Sequence, residues 1–121
     1  FGRGISAIQI GVARRVIFLH VDGIGYELIN PGFVDRSEET YALWDDCFSF
    51  PDLMVRLRRH VEVRIRYQDR AGAWHELAVR DGRSELIQHE MDHLDGILAV
   101  DRAESPLDFS TREEWVRRER R

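Results

Sequence analysis

The stretch QHEMDHLDG, residues 88–96, places His89 and His93 four apart around Glu90. On an α-helix, positions i and i+4 share a face with about 5–6 Å between their Cβ atoms, so both imidazoles can reach one metal ion. Glu90 can lean over the open side of such an ion and take a proton from water. The spacing predicts a helix from about Ser84 to Asp95, with Ser84 as N-cap and Gly96 just past the end. Leu86, Ile87, Met91 and Leu94 give that helix an apolar side. The plainer alternative is a polar helix with two solvated histidines.

Two histidines do not hold a catalytic metal; a third protein ligand is required. Zinc peptidases with the H-E-x-x-H pattern usually place it downstream, yet no histidine follows Gly96. Glu104, Glu113 and Glu114 follow, the last two in a predicted exposed helix. Upstream, Cys47 is the single thiol of the chain. As a thiolate it would complete a Cys-His-His set with one position free for water. Read alone, a lone cysteine is a small buried hydrophobe. His20, His60 and His75 lie in or beside predicted strands and read as ordinary.

Outward from the helix, the chain reads as antiparallel strands. Residues 1–11 look like a glycine-punctuated turn. Residues 13–21 read as a buried strand ended by Asp22-Gly23, and Tyr26–Asn30 as a second strand stopped by Pro31-Gly32. The acidic stretch 34–46 reads as a surface loop, and Leu53–Leu57 as a short strand. Val61–Tyr67 alternates strictly, so one face is buried and one charged. Asp69-Arg70-Ala71-Gly72 reads as a hairpin turn and Trp74–Val79 as the return strand. Ser110 and Glu113 form a capping-box pattern that opens a last helix. The fold class is therefore α+β: antiparallel strands packed around a central H-E-x-x-H helix, with a C-terminal helix.

With 121 residues and 43% apolar content, the chain suits one globular domain, residues 1–121. The net charge of −4 and the absence of a clustered basic excess argue against direct nucleic-acid binding. All 18 basic residues are arginine, and the Arg-rich end reads as a solvated helix tail. No apolar run reaches the roughly 18–20 residues of a membrane span, and no signal peptide opens the chain. A single cysteine excludes an intramolecular disulfide and fits a reducing compartment.

Three motifs together resemble the peptide deformylase family: GRGISAIQ (2–9), DDCFS (45–49) and QHEMDHLDG (88–96). The family pattern is G-x-G-x-A-A-x-Q, then E-G-C-x-S, then Q-H-E-x-D-H-L-x-G. The third is matched at every fixed position, and the first at all but Ser6. The second keeps Cys47 and Ser49. The resemblance implies that Cys47, His89 and His93 ligate the metal and that Glu90 is the general acid/base. It implies that Gln9, through its amide, and Phe48, through its backbone N–H, hold the substrate oxyanion. Gly4 would run beside the substrate, and Leu43 and Leu86 would shape a methionine pocket.

The implied function is metal-dependent hydrolysis of the N-terminal formyl group from N-formylmethionyl peptides of nascent proteins, releasing formate. The alternatives are another H-E-x-x-H metallo-amidase or peptidase, and a non-catalytic metal-binding descendant. A Cys-His-His set suits Fe²⁺, Zn²⁺, Ni²⁺ or Co²⁺; the resemblance implies Fe²⁺ in the cell. It also implies nascent-chain substrates, proximity to the ribosome and a cytoplasmic, bacterial-type location, with an organelle or phage origin compatible. Two departures stand out. Asp45 and Asp46 replace the usual glutamate and glycine, which puts a charge beside the ligand and leaves Arg59 as a partner for Asp45. Met54 stands where many members carry arginine. The helix and strand that precede the first motif in the family are absent, so the chain is expected to be an N-terminally truncated or minimal version.

Overall fold

A computed structural model describes residues 2–6, 15–47 and 50–119. Its described strands form two antiparallel sheets. The larger has the order β1(Gly2–Ser6), β2(Val16–Val21), β3(Ile24–Arg36), β6(Glu62–Gln68), β7(Trp74–Arg80). The smaller has the order β4(Thr40–Cys47), β5(Phe50–His60), β8(Phe109–Thr111). Helix α1(Asp81–Leu94) lies against both, and α2(Arg112–Glu119) follows β8. The expected α+β class, with its helix among antiparallel strands, is the observed one.

The core follows the period-two alternation. In β2, Ile17, Leu19 and Val21 are buried while Phe18 and His20 face out. Val63 and Ile65 of β6 do the same, and with Leu28, Val79 and the Ile87, Met91 and Leu94 side of α1 they form one cluster. A smaller cluster of Val55, Leu57 and Ala99 underlies the second sheet. Turn chemistry is equally local. Asp22 and Gly23 both have positive φ, 52° and 79°, as a tight type I′ hairpin requires. In the other hairpin the Asp69 carboxylate accepts the N–H groups of Ala71 and Ala73, with Gly72 at φ 86°.

Several expectations need correction. The region 34–46 is not a loop: Thr40–Cys47 is β4, in register with β5 from Thr40↔His60 to Asp46↔Met54. The acidic residues there stand on an edge strand, where burial is one-sided and composition resembles that of a loop. Pro31 does not stop its strand either. β3 runs through it with register shifts between Ile29 and Gly32 and between Phe33 and Asp35. Such bulges are where a proline is tolerated in a sheet. Residues 2–6 pair with β2 rather than forming a turn.

The helix ends also differ. Helix α1 begins at Asp81, not Ser84; Ser84 is buried and its hydroxyl donates to the His60 carbonyl instead of capping. Its C-terminus is as expected. Gly96 has φ 72°, its N–H donates to the His93 carbonyl, and the Ile97 N–H donates to that of Asp92, the two bonds of a Schellman cap. In the last helix the cap is Thr111, whose hydroxyl accepts the Glu114 N–H, and Ser110 belongs to β8.

Candidate active site on helix α1

One turn of α1 gathers the site. His89 and His93 stand with ring centroids 4.4 Å apart at an interplanar angle of 69°. Between them, a Glu90 carboxylate oxygen lies 3.9 Å from His89 Nε2 and 3.6 Å from His93 Nδ1. One ligand atom from each residue lies within 4.8 Å of those of the other two. Glu90 is 2% exposed. Its Oε2 and the Nδ1 of His93 are buried without a hydrogen-bond partner among the described residues. Orphaned buried polar atoms of this kind are uncommon unless something else satisfies them.

Glycine at position 4 makes this packing sterically feasible. In β1, Gly4 pairs with Leu19. A Cβ at Gly4 would stand 2.8 Å from Glu90 Cγ and 2.9 Å from Leu19 Cδ2. The backbone of β1 thus passes directly over the glutamate, and any side chain at position 4 would displace it.

The outer partners fix the histidines. His89 Nδ1 bonds the Asp45 carboxylate at 2.8 Å, so Nδ1 carries the proton and Nε2 is left as the ligand nitrogen. Asp45 in turn lies 3.7 Å from Arg59 Nη2, the partner foreseen for it. Asp92 does not face solvent. It is buried, taking 2.6 Å bonds from both Arg59 and Arg102. Gln88 clamps the backbone of His60, accepting its N–H and donating to its carbonyl, each at 2.9 Å. His60 is the residue at which the chain leaves the smaller sheet.

Electrostatics follow from burial. Burial lifts the Glu90 carboxyl to about 7, helped by the nearby Asp45 and Glu85 charges and opposed by His89. Burial pushes His93 down to about 4, and the neighbouring His89 pushes the same way. For His89 burial also acts downward, but the hydrogen bond and charge of Asp45 outweigh it and the net shift is upward. The turn therefore holds a neutral His93 and a glutamate that exchanges its proton near neutral pH.

The remaining candidates divide clearly. Gln9 and Phe48 lie outside the described residues, as does the side chain of Cys47, whose backbone ends β4 opposite Phe50. Leu86 lines an apolar groove of about 190 Å³ with Leu19, Tyr26 and Leu77. Leu43 packs instead on the smaller core beside Val55 and Leu57, so the two leucines share no cavity among the described residues. Sequence reasoning missed Glu85, whose carboxylate lies within 4.8 Å of the ligand atoms of Asp45 and His89. Its signal was available: it stands four before His89 on the same helix face.

Known proteins resemble this chain over most of its length. The polypeptide deformylase family model matches residues 1–108. The peptide deformylase of Heliobacterium modesticaldum is 40% identical over 107 residues, covering 86% of this chain and 68% of that protein. That of Brachyspira hyodysenteriae is 34% identical over 112 residues, covering 86% and 60%. Among solved structures, Thermotoga maritima peptide deformylase superposes with a TM-score of 0.78 at 30% identity, covering 85% of this chain and 70% of that one. A Synechococcus elongatus peptide deformylase in complex with actinonin gives 0.79 at 31%, covering 87% and 58%. The chain spans 60% of the Brachyspira protein and 62% of a Thermotoga neapolitana relative. By the match of its family model and by these relatives, the chain belongs to the polypeptide deformylase family.

Proposed function

We propose that this chain carries the deformylase reaction: hydrolysis of the formyl amide at the N-terminus of N-formylmethionyl peptides, releasing formate and a free amine. The observation that carries the reading is Glu90, buried between two imidazoles with one oxygen unpartnered among the described residues and a carboxyl pushed up to about 7. A group titrating near neutral pH is suited to accept and return a proton in one cycle.

The donor set fits a divalent ion. His89 Nε2 is freed by the Asp45 bond, His93 Nδ1 is buried without a hydrogen-bond partner among the described residues, and the Cys47 thiolate would be the third ligand. An ion held there acidifies water and polarises the formyl carbonyl. Soft and borderline donors of this kind suit Fe²⁺, Zn²⁺, Ni²⁺ or Co²⁺, and the reading assigns Fe²⁺ in the cell.

The protein's own residues do the rest. A Glu90 carboxylate oxygen takes a proton from the attacking water as oxygen bonds to the formyl carbon. The same oxygen then delivers that proton to the nitrogen as the carbon–nitrogen bond breaks. Gln9 and the Phe48 N–H are assigned to the oxyanion, where loss of one donor typically costs about 10²–10³ in rate. The Gly4 backbone is assigned to run beside the substrate, and Leu86 to the methionine side chain. Residues 1–121 act as one catalytic domain on nascent chains, near the ribosome and in the cytoplasm. No described helix is long and apolar enough to cross a membrane.

The test is formate release from a formyl-Met peptide by metal-loaded protein handled without oxygen. Activity that vanishes in Glu90→Ala while the metal is retained is the expected result. Full turnover in that variant, or internal peptide cleavage without formate, would end the assignment.

A further inference from the structure

Behind α1, on the side away from the Glu90 cluster, the two sheets enclose a second cavity of about 340 Å³. Its lining is cationic: Arg36, Arg58, Arg59 and Arg102 face it with His60, and Asp92 is the one carboxylate among the lining residues. Asp92 already serves two of those arginines, Arg59 and Arg102. Arg58 is paired at the surface with Glu104, at 3.1 Å. Arg36 has no carboxylate partner for its guanidinium among the described residues and rests 4.2 Å from the centre of the Phe33 ring. Arg59 is 3% exposed, and its Nε–H is buried without a hydrogen-bond partner among the described residues.

A buried guanidinium with an unmet donor is costly, and a cavity beside it lined by further guanidinium groups concentrates positive potential. The planar fork of arginine matches the oxygens of a tetrahedral phosphate. We infer that this inter-sheet cavity is an anion site for a phosphate group, free or as a small phosphate ester. Phosphate seated there meets Arg36 and Arg58 at the rim, with Arg59 and Arg102 adding positive potential within. The site is separate from the Glu90 cluster. Its partial link to that cluster runs through Arg59, which also lies 3.7 Å from Asp45.

The experiment is calorimetric titration of the metal-loaded full chain with inorganic phosphate, and in a second arm with glycerol phosphate, at constant ionic strength. The expected result is saturable binding at one equivalent, weakened at least tenfold by Arg36→Gln and by Arg58→Gln. Arg80→Gln, an exposed arginine on β7 outside the cavity, leaves it unchanged. Thermal unfolding of each variant confirms that it is folded. Glycerol phosphate binding alongside phosphate assigns the site to esters as well; binding of phosphate alone assigns it to the free ion. No saturable binding, binding unaffected by both rim variants, or binding abolished by metal removal would overturn the inference.

Discussion

Helix α1 carries two polar faces that differ in one respect. Ser84, Gln88 and Asp92 are buried and their principal polar groups are met: by the His60 backbone, by Ser84 itself, and by two guanidinium groups. Glu90 and His93 are similarly buried, with His89 half-buried beside them, yet Glu90 Oε2 and His93 Nδ1 have no hydrogen-bond partner among the described residues. The first face joins the helix to the end of β5 in the smaller sheet and to Arg102. The second keeps polar atoms that no other described residue satisfies. Burial alone does not separate structural from chemical residues here; hydrogen-bond satisfaction does.

Four substitutions probe that contrast, in falling order of effect. Glu90→Gln should cost about 10²–10⁴ in kcat/KM, the range of a general acid/base, with metal content intact. Assay and metal analysis on the same sample check this, and a loss of metal instead would make Glu90 a ligand-positioning group. Asp92→Ala should cost about 3–5 kcal/mol of stability, because it leaves Arg59 buried without its closest partner. Denaturant unfolding measures it; a cost below about 1 kcal/mol would mean the satisfied face is not what anchors the helix. Gln88→Leu should cost about 1–3 kcal/mol by stranding the His60 N–H. Asp45→Asn should weaken metal binding by about 10–100-fold with little change in the stability of metal-free protein. Competition against a chelator reads the first, thermal unfolding the second.

A last test is a pH dependence. In metal-free protein the Glu90 carboxyl is raised from 4.5 to about 7, chiefly by burial. A raised carboxyl means the folded state holds a proton that the unfolded chain releases. That contribution is complete below about 4.5 and is lost as pH rises towards and past 7. Glu90→Gln cannot lose it. The variant should therefore gain stability relative to the parent as pH rises across this window, read by unfolding of both proteins at pH 4.5, 6 and 8. Parallel curves would show that Glu90 is not buried as described.

Much of this was legible from local sequence. The H-E-x-x-H spacing placed His89, Glu90 and His93 on one helical turn, because 3.6 residues per turn leaves no alternative once a helix forms. Strict alternation gave β6, and the Asp-Gly and Asp-Arg-Ala-Gly turns gave the hairpins. What failed were the places where a non-local partner decides. Residues 40–47 are a strand because β5 pairs with them, not because of their own acidic composition. Ser84 looked like a cap but was drawn to the His60 carbonyl, and β3 passed Pro31 by bulging.

Sequence by itself determined which residues are chemically competent and their spacing along α1, since that spacing is a property of the helix. Tertiary structure decided which of those residues are left unsatisfied. Only the fold brings Asp45 onto His89 Nδ1, and Arg59 and Arg102 onto Asp92. Only the pairing of β1 with β2 lays the bare backbone of Gly4 against Glu90. Hydrogen-bond partners far apart in sequence are set by packing, and it is the unmet Glu90 Oε2 and His93 Nδ1, among the described residues, that separate the helix's site from its satisfied anchor face.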